Sequence, residues 1–80
     1  MISNLEKYNN AFIDTFDVDE SELEGLAYKK SNGWDSVGHM MLVAAIEGEF
    51  DIELETGDIS GFESYVEGKK LLRKYDLVIE

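Results

Sequence analysis

The sequence predicts an all-α fold: a small bundle of three main helices plus one short helix, with a long loop between helices one and two. Apolar residues recur at spacings of three and four in the strongly patterned segments, the period of a helix with one buried face. Two of those segments open on capping boxes, Ser3 with Glu6 and Ser64 with Glu67. The chain holds no proline, so the strongest helix breaker is missing throughout. It also holds no cysteine, which leaves side-chain packing alone to hold the fold together.

The first helix is expected from about Asn4 to Phe16, with Leu5, Tyr8, Phe12, Ile13 and Phe16 on one apolar stripe. Asp17 to Gly33 is acidic and then turn-rich, ending in Ser31-Asn32-Gly33. Leu23, Leu26 and Tyr28 punctuate it, so it is expected as a long loop pinned to the core, with room for a short helical turn. Loops of that length inside a small domain usually carry function. Asp35 or Ser36 is suited to cap the second helix, which runs to about Phe50. His39, Leu42, Val43, Ile46 and Phe50 form one stripe on it; Val37, Met40, Met41 and Ala44 form a second, rotated from the first. One stripe is enough to face a bundle core, so the second either widens the buried arc or is exposed. Asp51 to Gly57 reads as a connector, and Asp58 to Phe62 as one short helical turn. A last helix is expected from Ser64 through about Lys74, with Tyr65, Val66, Leu72 and Tyr75 as its apolar side. Lys69, Lys70, Arg73 and Lys74 load its C-terminal end, where the helix dipole favours cations. The tail from Asp76 to Glu80 is apolar but too short to assign.

An 80-residue chain makes a single domain, residues 1–80, and its 44% hydrophobic content is too high for a disordered tail. Eighteen acidic residues against seven basic give a formal net charge of -11. A field of that sign repels nucleic acid and anionic membrane and attracts proteins with basic patches; it also serves simply to keep a small protein soluble. No apolar run approaches the roughly 20 residues that cross a bilayer, and the first residues lack the basic and apolar regions of a signal peptide. A cytoplasmic monomer is the expectation.

Catalytic and metal chemistries find little support. His39, the one histidine, lies three residues after Ser36 on the apolar side of a helix. A hydrolytic triad needs an orienting acid and an oxyanion hole as well, and a lone histidine in that place reads as a core residue. The alternating carboxylates from Asp51 resemble the start of a calcium loop, yet Thr56 and Phe62 stand where glycine and glutamate are required. The stretch from Asp17 fails in the same way, at Glu22 and Tyr28. No catalytic residues and no resident metal are expected, and the chain does not read as an enzyme.

The run Gly33-Trp34-Asp35-Ser36-Val37, followed at fixed distance by Glu47-Gly48-Glu49-Phe50-Asp51-Ile52-Glu53-Leu54, closely resembles the acyl carrier protein family. That family has an Asp-Ser-Leu motif at a helix start and ends the helix in a Glu-Glu-Phe-Asp-Ile-like segment. The likeness is ungapped from Gly33 to Leu54, with the same helix order on either side. It implies an acyl-carrier-like bundle in which Ser36 bears a 4′-phosphopantetheine arm, delivered from coenzyme A by a phosphopantetheinyl transferase using Mg²⁺. The thiol of the arm would hold an acyl group as a thioester. It further implies that Asp35 assists attachment by contacting the metal, and that the second helix is the docking element for acyl-loading, acyl-transfer or condensing enzymes with basic or apolar patches. Independently of family, a phosphodiester at the start of a helix meets free N–H groups and a favourable dipole. The plain alternative for both Ser36 and Asp35 is a helix cap.

The sequence departs from the family at Gly38, His39 and Met41, where fatty-acid carriers hold polar or acidic residues. Acidity returns at Glu47, Glu49 and Asp51. The partner surface is therefore expected at Val37, Met40, Met41, Ala44, Glu47 and Glu49, more apolar than usual and suited to a dedicated pathway. Methionine adapts to varied surfaces but also fills small cores, and both roles stay open here. Trp34 either anchors the loop or lines the partner surface. Two other functions remain in view: an aminoacyl or peptidyl carrier of non-ribosomal synthesis or D-alanine transfer, and an acidic interaction module that bears no arm.

Overall fold

The computed structural model describes residues 2–80. Helix α1, Asn4–Phe16, starts where Ser3 Oγ accepts the Glu6 N–H at 3.1 Å, as its capping box requires. It stops at Asp17, which takes the left-handed conformation and returns its N–H to Ile13 O. Tyr8, Ala11 and Phe12 are buried, and Leu5, Ile13 and Phe16 lie half-buried beside them. Helix α2, Ser36–Phe50, packs along α1 and sends Gly38, His39, Leu42, Val43 and Ile46 inward. Gly38 is required there: a Cβ on it would run into the Gly33 carbonyl and against the Phe16 ring.

The long segment between these helices is pinned, as its apolar residues suggest. A 3₁₀ turn, Glu20–Gly25, buries Leu23, and Leu26 follows it into the core. Ala27 then pairs with Ser64 in an isolated antiparallel bridge. Tyr28 N–H donates to Glu63 O at 2.8 Å on one side of it, and Tyr65 N–H to Leu26 O at 3.1 Å on the other. From Ala27 to Trp34 the chain closes on itself, with Lys29 N–H on Trp34 O and the Ala27 N–H on Ser31 Oγ. Trp34 is buried, stacked on Phe16 and edge-on to Phe12, so it anchors the loop and does not line the surface.

The second half shows three differences from expectation. The short helix α3 covers Thr56–Gly61, not Asp58 to Phe62, because the Glu55 carbonyl takes the N–H groups of both Asp58 and Ile59 at 2.9 Å. Helix α4 is α-helical only over Tyr65–Leu72 and tightens into a 3₁₀ turn at Arg73–Tyr75. There Leu77 N–H reaches back to Leu72 O and Asp76 turns left-handed, which ends the helical run after Tyr75. Val66 is exposed and not part of the inward side. The buried stripe is Tyr65, Gly68 and Leu72, one turn apart, and Gly68 is there because any Cβ would strike the Tyr8 hydroxyl and the Phe62 ring. The tail is tied back to α1 by Asn4 Nδ2 donating to Val78 O at 3.2 Å.

Polar groups in the core are satisfied. Tyr8 donates its hydroxyl to Tyr65 O at 2.6 Å, and burial first, then the neighbouring Tyr65, pushes its ionisation well above the usual tyrosine range. Among the described residues no buried side-chain nitrogen or oxygen lacks a partner. No helix in them is long and apolar enough to cross a membrane.

Candidate functional site

The start of α2 divides its two polar residues between different tasks. Asp35 is the cap: its Oδ1 accepts the Gly38 N–H at 2.9 Å, and its carbonyl accepts the His39 N–H at 2.8 Å. Ser36 is the first helical residue and caps nothing. Its hydroxyl is exposed, and its one side-chain neighbour in hydrogen-bond range is the Tyr28 hydroxyl, at a long 3.4 Å. Among the described residues the backbone N–H groups of Ser36 and Val37 have no acceptor, as befits the first turn of a helix. A free hydroxyl thus stands beside two free donors.

His39 lies beneath this turn and is committed to structure. Trp34 Nε1–H donates to its Nδ1 at 3.0 Å, and its Nε2 lies 2.7 Å from Ile59 O. An indole nitrogen only donates and a carbonyl only accepts, so the ring is the neutral tautomer with its proton on Nε2. Both nitrogens being occupied, His39 has none to offer the Ser36 hydroxyl. The Tyr28 ring packs at 5.0 Å from the His39 ring, which in turn holds the tyrosine against the start of α2.

Beyond Ser36 the outer face of α2 carries no charge for three turns. Val37, Met40 and Met41 are 71%, 53% and 56% exposed, and Ala44 and Gly48 are exposed on the same side. The second apolar stripe is therefore surface, and Met40 and Met41 are not core filler. Gly38 and His39, by contrast, are turned inward and belong to no docking face. The two glutamates of the expected partner surface lie beyond this uncharged stretch. Glu47 is half-buried and spends a carboxylate oxygen on the Leu54 N–H at 2.9 Å, bracing the connector after α2. Glu49 is exposed but stands five residues from Ala44, roughly 140° round the helix at 3.6 residues per turn.

Tyr28 is the site residue that pattern reading passes over. A tyrosine in a polar, turn-rich loop signals an anchor, but its meeting with Ser36 depends on the Ala27–Ser64 pairing. No group of three or more histidine and acidic side chains able to hold a metal occurs among the described residues. Comparison with protein-family models, curated proteins and solved structures finds no match for the chain.

Proposed function

We propose that this chain is an acyl carrier protein, modified at Ser36 by a 4′-phosphopantetheine arm. The observation that supports it best is the division of labour at α2: Asp35 caps the helix, leaving the Ser36 hydroxyl exposed and without a structural task. That removes the plain reading of Ser36 as an N-cap. The residues present fit the group, since a phosphate on Ser36 Oγ would lie beside the unpaired Ser36 and Val37 N–H groups at a helix start.

In the attachment step Ser36 Oγ attacks the pantetheine-side phosphorus of coenzyme A. A new P–O bond forms, the bond to the bridging oxygen breaks, adenosine 3′,5′-bisphosphate leaves, and the serine proton passes to a base of the transferase. Asp35 keeps its second carboxylate oxygen free while the first caps α2, and a carboxylate oxygen is the donor type Mg²⁺ takes. When bound, the arm supplies a thiol that carries an acyl group as a thioester. Val37, Met40, Met41 and Ala44, next to Ser36 and uncharged, would meet the apolar patch of a partner enzyme. Glu47 and Glu49 contribute to the general acidity more than to that contact.

Intact mass after incubation with coenzyme A, Mg²⁺ and a broad-specificity phosphopantetheinyl transferase tests the reading. One added arm in the native chain and none in Ser36→Ala is the expected result; no gain, or gain in both, overturns it. Loading by amino-acid-adenylating enzymes in preference to acyl-loading ones would move the chain to the aminoacyl carriers.

A further inference from the structure

Between the long loop and the α3–α4 junction runs an open groove of about 460 Å³. Its walls carry Tyr28, Lys30, Ser60, Glu63, Ser64 and Glu67, and the Ala27–Ser64 bridge crosses it. We propose that this groove is the resting berth of the pantetheine arm, an inference that rests on the carrier reading of Ser36.

Tyr28 links the two places. It lines the groove, and its hydroxyl lies 3.4 Å from the Ser36 hydroxyl. The His39–Ile59 hydrogen bond ties α3 to the first turn of α2, and Ser60, the next residue along α3, lines the groove. Tyr28 is thus the residue that the Ser36 hydroxyl and the groove share.

The chemistry of the walls matches the arm and not its cargo. Pantetheine carries two amides and a hydroxyl, each needing both donors and acceptors to replace water. Lys30 supplies a cation outside the ion pairs found among the described residues, which join Lys70 to Glu67 and Lys74 to Asp58. Glu63 supplies acceptors, and Ser60 a hydroxyl that both gives and takes. Along α2, by contrast, the side chains of Val37, Met40, Met41 and Ala44 offer no donor and only weak sulfur acceptors, so amides laid there would lose water with little replacement. The volume lies within the range of small-ligand sites. The two surfaces on either side of Ser36 thus divide: the groove holds the arm, and the apolar face of α2 is left clear for a partner enzyme.

The test compares amide shifts of the ¹⁵N-labelled apo and arm-bearing chains, and looks for nuclear Overhauser contacts from the geminal methyls of the arm to the Tyr28 ring. Shift changes at Lys30, Ser60 and Glu67 at least twofold larger than those at Met40, Met41 and Ala44 are expected. The double variant Lys30→Ala/Ser60→Ala, altered at two exposed positions, should halve them or more. Changes confined to residues 35–38, or running along the Met40–Ala44 face, would overturn the berth while leaving the carrier reading intact. A chain that gains no mass at Ser36 overturns both.

Discussion

Gly38→Ala tests the local packing that sets the start of α2. In an ordinary helix the change is favourable, by about 0.5–1 kcal/mol. Here the new Cβ would collide with the Gly33 carbonyl, and Phe16 stands 3.2 Å away on the other side. Gly33 cannot yield easily, since its φ of 86° sits in a turn closed by Trp34 N–H on Ser31 O. Relief must come from moving the first turn of α2, at an overpacking cost of about 1–3 kcal/mol. Loosening the Asp35 cap costs about 1 kcal/mol more. The net is a destabilisation of about 2 kcal/mol, or a Tm about 8–16 °C lower for a domain this small. Gly48→Ala, in the same helix, has nothing within 4 Å of its Cβ and should raise Tm by about 2–8 °C. Thermal unfolding by circular dichroism reads both. If Gly38→Ala proves as stable as the native chain, the close approach of loop and helix is wrong.

Asp35→Ala should lower stability by about 1 kcal/mol through loss of the cap, while Ser36→Ala should change it by less than about 0.5 kcal/mol, measured by chemical denaturation. An equal cost for the two would return Ser36 to a capping role. His39→Leu leaves the buried Trp34 N–H without an acceptor and should cost about 1–3 kcal/mol beyond any packing change; ¹⁵N-imidazole spectra of the native chain should show the proton on Nε2. Asp58 takes hydrogen bonds of 2.6 Å from both Lys74 and Tyr75, which hold its carboxyl below the usual carboxylate range, while the same contacts raise Lys74 and Tyr75. The Asp58 contribution is therefore full above the unfolded carboxylate range near pH 4 and fades as pH falls through its folded value. The Lys74 and Tyr75 contributions are full below about pH 10 and fade as pH rises beyond it. Asp58→Asn should flatten both limbs of a Tm-against-pH curve, and unchanged limbs would exclude the cluster as their source.

Local signals were legible and distant ones were not. The starts of α1 and α2 follow from Ser3, Glu6 and Asp35, whose caps act within four residues. The sequence leaves the exposure of Met40 and Met41 open because α2 is apolar on nearly every side, and a helix without a polar face does not say which side is in. Val66 was misplaced for a related reason: Gly68, with no apolar side chain to read, holds the inward position that close packing against Tyr8 demands. The start of α3 is not legible because its N-cap residue, Glu55, makes no side-chain cap hydrogen bond. Tyr28 beside Ser36, and Trp34 on His39, depend on pairings between segments far apart in sequence, which no periodicity records.

The uncharged outer face of α2 has a colloidal consequence. A methionine-bearing patch would ordinarily invite self-association, yet every copy carries a formal charge of -11. Repulsion reaches about 30 Å at 0.01 M salt and about 8 Å at 0.15 M, so like copies are turned back before their faces touch. The second virial coefficient should accordingly fall from strongly positive toward zero as salt is added, with the decline blunted in Met40→Gln/Met41→Gln. Solubility is thus supplied by the rest of the surface acting at a distance, and the face itself is spared the carboxylates that would otherwise guard it.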